Sequence, residues 1–293
     1  MPLRLPSWQL FVAAVLIWGT TWHAITYQLA VWPPAYGVAM RFALAALTVF
    51  AVAVWRGDQL RFPWSQQRRF AVQGVFMYGL SYLCIYHAEE HVPSGLVAVG
   101  YASAPLLAGL GAWRLWRTPL TGRFLAGGLL GMAGVALIFA PELATADRSP
   151  TAGLGLAFTV AAVLLSTVGA LSASRNSHHG LPFWSALGWG LAWGAGTATT
   201  VAFVTAPMPT AWPTAPSWWL SLAYLAVAGT VLAFGAFLTL QQRLGPGKAS
   251  TLGVMTPVVA LAVSAAFEGY RPGWATLAGA GLTVLGNVLM LRR

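Results

Sequence analysis

The sequence predicts an all-α integral membrane protein of ten transmembrane helices, built as two inverted five-helix repeats. Three observations carry this: ten apolar stretches of membrane-crossing length, basic residues gathered on one side of them, and a repeat of the chain onto itself. The 293 residues are 58% hydrophobic and only 8% charged, too few polar groups to cover a water-soluble globule of that size. The apolar stretches fall near 7–31, 34–55, 70–87, 94–116 and 123–141, then 152–173, 183–204, 218–240, 249–267 and 275–291. Each holds roughly 17–25 residues, which at ~1.5 Å per residue crosses a hydrocarbon core of ~30 Å.

Charge sets the orientation. With the N-terminus inside, Arg4, Arg56, Arg61, Arg68, Arg69, Arg114, Arg117, Arg123, Arg175, Arg243, Lys248, Arg292 and Arg293 all fall on the cytoplasmic side. Arg148 and Arg271 fall outside, and Arg41 sits within a span. Lys/Arg bias in short loops decides topology, so both termini are expected in the cytoplasm of a multi-pass cytoplasmic (inner) membrane protein. The net charge of +10 then reads as topology signal, not as a nucleic-acid patch. The partners expected are membrane lipid and a small molecule, with the chain a monomer or homodimer. The single Cys84 lies in an apolar run and reads as packing. The first stretch is too long, and lacks a small-residue cleavage site, to be a removable signal peptide. Trp8, Trp32, Trp55, Trp64, Trp212, Trp218 and Trp274 lie near span ends, as interfacial belts require.

The chain matches itself at an offset of 152. Gly95, Pro105 and Ala108 pair with Gly247, Pro257 and Ala260. Leu125, Ala126, Gly127, Leu130, Gly134 and Leu137 pair with Leu277, Ala278, Gly279, Leu282, Gly286 and Leu289. At an offset of 148, Pro34 pairs with Pro182, each opening a span. Five spans per half is an odd number, so the second half enters from the opposite side. The expected repeats are residues 1–141 and 150–293, joined near 142–152 through Pro141, Glu142, Asp147 and Pro150.

The motifs that result resemble a known family. The first span carries Trp18-Gly19-Thr20-Thr21-Trp22 and the second Arg41-Phe42; Pro105 and Pro257 centre the fourth and ninth. Gly127, Gly131 and Gly134, then Gly279 and Gly286, space the spans that follow. Over essentially its whole length the chain resembles the EamA-type branch of the drug/metabolite transporter superfamily, and within it is most similar to the YddG-type aromatic amino acid exporters. The resemblance implies two inverted five-helix repeats around a central cavity. Glu268 supplies the acidic residue that this family often carries after its proline-containing helix, whereas the equivalent place in the first half is Trp116.

Polar and aromatic residues inside spans are the candidates for function. Tyr78, Tyr82 and Tyr86 recur every four residues and share a helix face, which lines a wet cavity or packs helices together. Trp18, Trp22 and His23 cluster in the first span; His23 is a substrate or proton contact, or a helix–helix hydrogen bond. Tyr101, Trp189 with Trp193, Phe237 and Met255 complete the expected substrate-binding set. Arg41, roughly 10 Å deep at ~1.5 Å per residue, either meets a substrate carboxylate or ties backbone carbonyls between helices, the second being preferred. Pro105 and Pro257 are expected to kink their helices and free carbonyls.

No GxxxxGK[ST] loop is present, so ATP is not expected to drive the protein directly, and no HExxH or cysteine cluster calls for a metal; no cofactor is expected. His87 and His91, beside Glu89 and Glu90, read as an exposed, solvated helix end. All six carboxylates fall in loops or near span ends. The expectation is therefore a secondary transporter, not an enzyme, exporting neutral amino acids with an aromatic preference or related metabolites by alternating access, without a dedicated coupling ion. Export of other metabolites or cationic drugs is the alternative within transport, and an enzyme acting on lipid-linked substrates the alternative outside it.

Overall fold

The computed structural model of the chain describes residues 4–29, 31–144 and 150–291. Every regular element among them is helical. The first half runs α1 (Ser7–Leu29), α2 (Pro34–Trp55), α3 (Trp64–Gly74), a π-helical turn (Val75–Leu80), α4 (Ser81–Glu89), α5 (Ser94–Gly100), a 3₁₀ turn (Tyr101–Ser103), α6 (Ala104–Trp116) and α7 (Gly122–Ala144). The second runs α8 (Pro150–His178), α9 (Phe183–Thr205), α10 (Pro216–Ala226), a second π-helical turn (Val227–Leu232), α11 (Ala233–Leu244), α12 (Pro246–Ala249), α13 (Leu252–Phe267) and α14 (Trp274–Leu291). Among the described residues, five continuous helical stretches are long and apolar enough to cross a membrane, and three shorter apolar helices accompany them. Asp147 and Arg148 of the expected linker, and Arg292 and Arg293, lie outside the described residues.

Proline and glycine punctuate the chain as their chemistry dictates. Pro34, Pro216 and Pro246 stand in first turns, where the missing N–H has no intrahelical acceptor to serve. Gly245, at φ 83°, makes the turn between α11 and α12 that a side chain would strain. Several helices outrun the apolar stretches. The third stretch, expected over 70–87, is helical from Trp64 to Glu89, and the sixth reaches His178. Arg68, Arg69 and Arg175 are therefore helical residues rather than loop residues, because backbone hydrogen bonding continues past the apolar stretch. Most of the interfacial Trp are exposed, but Trp218 is fully buried and belongs to the core.

Helix pairs meet through glycine. A methyl group at Gly127 would collide with the Gly286 carbonyl, and one at Gly134 with Thr283 and the Gly279 carbonyl, so α7 and α14 pack backbone to backbone. The pairing is reciprocal: Gly127 and Gly279, like Gly134 and Gly286, are 152 positions apart. The same reciprocity links Gly95 to Leu261 and Gly109 to Gly247. Contacts of residue i with j, and of i's counterpart with j's, are what a two-fold relation produces. The two π-helical turns also stand 152 positions apart, at the same place in each half.

Candidate functional site

A cavity lies between the halves, with about 820 Å³ of non-atom space counting its open mouth. Equivalent positions from both halves line it: Trp18 and Ala170, Tyr82 and Phe234, Ile85 and Phe237, Tyr101 and Gly253, Ala104 and Thr256. The first-half partner is aromatic in three of these pairs, so the cavity has a symmetric frame and an asymmetric surface. Trp18 of α1 meets Phe234 edge-on at 5.1 Å between ring centroids and Phe237 at 5.6 Å. Trp22, one turn further, lies 5.5 Å from Tyr101.

The breaks in helical geometry position these side chains. Pro105 has no N–H to offer the Tyr101 carbonyl, which instead takes the Ala104 N–H in the 3₁₀ turn. Pro105 thus opens α6 just after the 3₁₀ turn, midway along the continuous helical stretch Ser94–Trp116. The turn places the Tyr101 hydroxyl 3.1 Å from Ser81 Oγ. Pro257 lies inside α13, as expected, and leaves the Gly253 carbonyl without its α-helical donor. The second π-helical turn acts as a bracket: its Gly229 carbonyl accepts Trp18 Nε1 at 3.1 Å and Arg41 Nη2 at 3.4 Å, while Thr230 Oγ1 accepts Arg41 Nε at 3.1 Å. π-helical turns in α-helices often mark functional sites.

Arg41 ties helices together, as preferred, and also reaches the cavity. Only 1% exposed, it ties α2 to the second π-helical turn, and it also lines the cavity with its guanidinium carbon 4.6 Å from the Tyr82 ring centre. Two N–H donors on the cavity lining are buried without a hydrogen-bond partner, Arg41 Nη1 and Trp22 Nε1. A buried donor without an acceptor costs about 1–3 kcal/mol, more when charged, which an anionic ligand would recover.

Of the nine expected substrate-binding residues, five line this cavity: Trp18, Trp22, Tyr82, Tyr101 and Phe237. The other four lie elsewhere. Tyr78 is fully buried between Phe42 and Phe234, and its hydroxyl accepts from Gln73 Nε2 at 3.4 Å, so the π-helical turn has rotated it out of the lining. Trp189 packs on Phe50 and donates to the Leu60 carbonyl at 2.9 Å, beside the α2–α3 connection. Met255 points outward, 39% exposed.

His23 sits just beyond the cavity, with Nδ1 3.0 Å from Glu268 Oε1. Ser94 Oγ and Ser264 Oγ donate to the same carboxylate at 2.6 and 3.0 Å, and the Gly95 N–H donates to Ser264. This latch joins α1, α5 and α13 where α13 ends. Glu89 stands nearby, and the expectation of an exposed, solvated helix end beside His87 and His91 fails here: both Glu89 oxygens are buried with no hydrogen-bond partner. Its place at the end of α4 looks exposed in sequence, but α1, α2, α5 and α8 pack around α4. His87, by contrast, is half-exposed and bonds Glu90 at 2.7 Å.

The EamA-like transporter family model matches this chain over residues 7–140 and again over 153–292. The protein of Escherichia coli (strain K12) named "Uncharacterized inner membrane transporter YedA" is 26% identical over 271 residues, covering 90% of this chain and 84% of its own length. An "Uncharacterized transporter" of Archaeoglobus fulgidus is 25% identical over 98% of this chain and 99% of its own. A solved crystal structure at 21% identity superposes with a TM-score of 0.75, covering 99% of this chain and 98% of that one, and has the same fold.

Proposed function

The chain belongs to the EamA-like transporter family, and from that premise we propose that it is a secondary transporter of the cytoplasmic membrane that exports neutral amino acids with an aromatic preference. The observation that carries this reading is the pair of unpartnered donors, Trp22 Nε1 and Arg41 Nη1, in a cavity walled by Trp18, Tyr82, Tyr101, Phe234 and Phe237. A planar guanidinium suits a carboxylate, and the aromatic walls suit an aromatic side chain. The charged group on the lining is a cation, which favours a carboxylate-bearing substrate over a cationic drug.

In this reading residues 1–141 and 150–293 are inverted repeats, both termini are cytoplasmic, and the Glu268 latch faces outside. Reciprocal glycine contacts support the two-fold relation, and Pro105 with Pro257 marks helices able to bend about the site. The YddG-type grouping belongs to the same proposal. Flux into proteoliposomes loaded with phenylalanine, tryptophan, alanine, arginine or an aromatic cation tests it. Saturable exchange of phenylalanine and tryptophan is expected; transport of the cation with none of either aromatic amino acid would overturn it.

A further inference from the structure

The Glu268 latch and the cavity share three segments of chain. Trp22 of α1, Tyr101 just past α5 and Thr256 of α13 line the cavity. His23, Ser94, Ser264 and Glu268 lie beyond them, towards the outer ends of the same helices in the orientation proposed. The helices approach closely there: a methyl group at Gly19 would collide with Val259, and one at Gly95 with Ser264 Oγ, so α13 packs directly on both α1 and α5. The His23 and Glu268 side chains are only 20% and 15% exposed. Both carboxylate oxygens are engaged, Oε1 by His23 and Ser94 and Oε2 by Ser264.

The offset of 152 gives this closure a counterpart at the other end of the cavity. Gly95 against Leu261 becomes Gly247 against Gly109, so the backbone register is kept. The side chains are not. His23 corresponds to Arg175, Ser94 to Pro246, Ser264 to Ala112 and Glu268 to Trp116. The carboxylate is gone, and so are both hydroxyls that would serve it. Trp116 instead meets the His178 ring of α8 at 5.4 Å between centroids. Two side-chain hydrogen bonds at that end, from Asn176 to Gln73 and from Gln241 to the Ala170 carbonyl, tie α8 to α3 and α11, not to α6 or α12. Opening the outer end therefore breaks charge-assisted hydrogen bonds, roughly twice as strong as neutral ones, and the equivalent opening of the inner end has no such bonds to break.

We propose that the latch is the outside gate and that it sets the resting state: without substrate the outer closure is favoured, and the cavity is left to the cytoplasmic side, where an exporter loads. The proposal rests on the transporter reading and its orientation. Losing one hydrogen bond to a charged group shifts a ratio of two states by about tenfold to a hundredfold. Such a bias does not set the direction of net flux, which the gradients fix. It raises the fraction of empty transporters able to bind substrate from inside, and so tightens the apparent Kd on that side.

Labelling of a cavity thiol tests this without substrate. In the full chain with Cys84 replaced by Ser, Ala104→Cys supplies a thiol on the lining, and a membrane-impermeant maleimide is applied to either face of the membrane. Gly245→Cys in a parallel protein marks the expected cytoplasmic face. With the latch intact, the cavity thiol should label from the face that labels Gly245→Cys and slowly from the opposite one. Glu268→Gln should raise the opposite-face rate by about tenfold or more, while the rate from the Gly245 face holds or falls. Ser94→Ala removes one donor and keeps the carboxylate; it should act in the same sense more weakly, and it decides the matter if Glu268→Gln does not fold. An intact latch that labels faster from the opposite face, or an opposite-face rate unchanged in the deciding variant, overturns the proposal. A rise from both faces overturns it too, because the latch would then hold the fold together and not one state of it. Failure of the underlying reading looks different. Gly245→Cys labelling only from outside would overturn the orientation even with the shift between faces intact, and a clear shift without phenylalanine flux would leave the gate and remove the substrate assignment.

Discussion

Replacing Trp22 with Phe removes one N–H and leaves most of the ring, which makes it the sharpest probe of the cavity chemistry. Trp22 is 8% exposed and its buried Nε1 has no hydrogen-bond partner. If a substrate carboxylate accepts from that N–H, losing it should cost the ~1.5–3 kcal/mol of a hydrogen bond to a charged group. At ~1.4 kcal/mol per tenfold, phenylalanine binding to Trp22→Phe should weaken by about 10- to 150-fold. Phenethylamine, which lacks the carboxylate, should lose no more than the smaller ring takes from packing. Stability should shift by between about 2 kcal/mol gained and about 1 kcal/mol lost. Deleting an unpartnered buried donor relieves about 1–3 kcal/mol, against a packing loss of about 1–2 kcal/mol for the smaller ring at ~0.8 kcal/mol per buried methylene. Calorimetric titration of both ligands, with thermal unfolding of both proteins, measures all the terms. Equal weakening for phenylalanine and phenethylamine would refute the reasoning, because the indole would then be acting as surface alone.

Three further outcomes are expected. Gly127→Leu should abolish stable folding, or lower the melting temperature by many degrees, because the added side chain meets the Gly286 carbonyl; Gly281→Ala, with nothing within 4 Å, should be neutral or slightly stabilising. Trp189→Phe should cost about 1 kcal/mol of stability through the lost bond to Leu60 and leave substrate affinity unchanged, whereas Tyr82→Ala should weaken binding measurably in a folded protein. Cysteines placed at Arg61 and Gly245 should label from the cytoplasmic side; labelling of either from outside alone would reverse the proposed orientation.

Much of this architecture could be read from residue type and spacing alone. Helices follow from apolar run length, and two of their starts from Pro34 and Pro182. The repeat offset of 152 recovered from Pro105, Gly127 and Gly134 is the offset at which the reciprocal glycine contacts and the paired π-helical turns recur. The aromatic face was less legible. Tyr78, Tyr82 and Tyr86 share a face only if the helix keeps 3.6 residues per turn, and the π-helical turn at Val75–Leu80 breaks that count just before Tyr82. Only Tyr82 of the three reaches the cavity, and no feature of the local sequence announces the turn.

The Glu89 misreading has a different origin, and it bears on how such proteins hold charge. Hydropathy along the chain ranks a residue by its neighbours in sequence, so a carboxylate at a helix end beside His87 and Glu90 reads as solvated. Burial is set by neighbours in space. Around α4, which ends at Glu89, these come from α1, α2, α5 and α8, the last of them more than 60 residues away along the chain. Glu268 occupies a comparable place at the end of α13 but is spent on three donors, from His23, Ser94 and Ser264. Two acidic residues near the same end of the bundle thus differ in what satisfies them, and the difference divides their work. The carboxylate with its hydrogen bonds made is a structural latch. Glu89, buried with neither oxygen hydrogen-bonded, makes no such bond between helices.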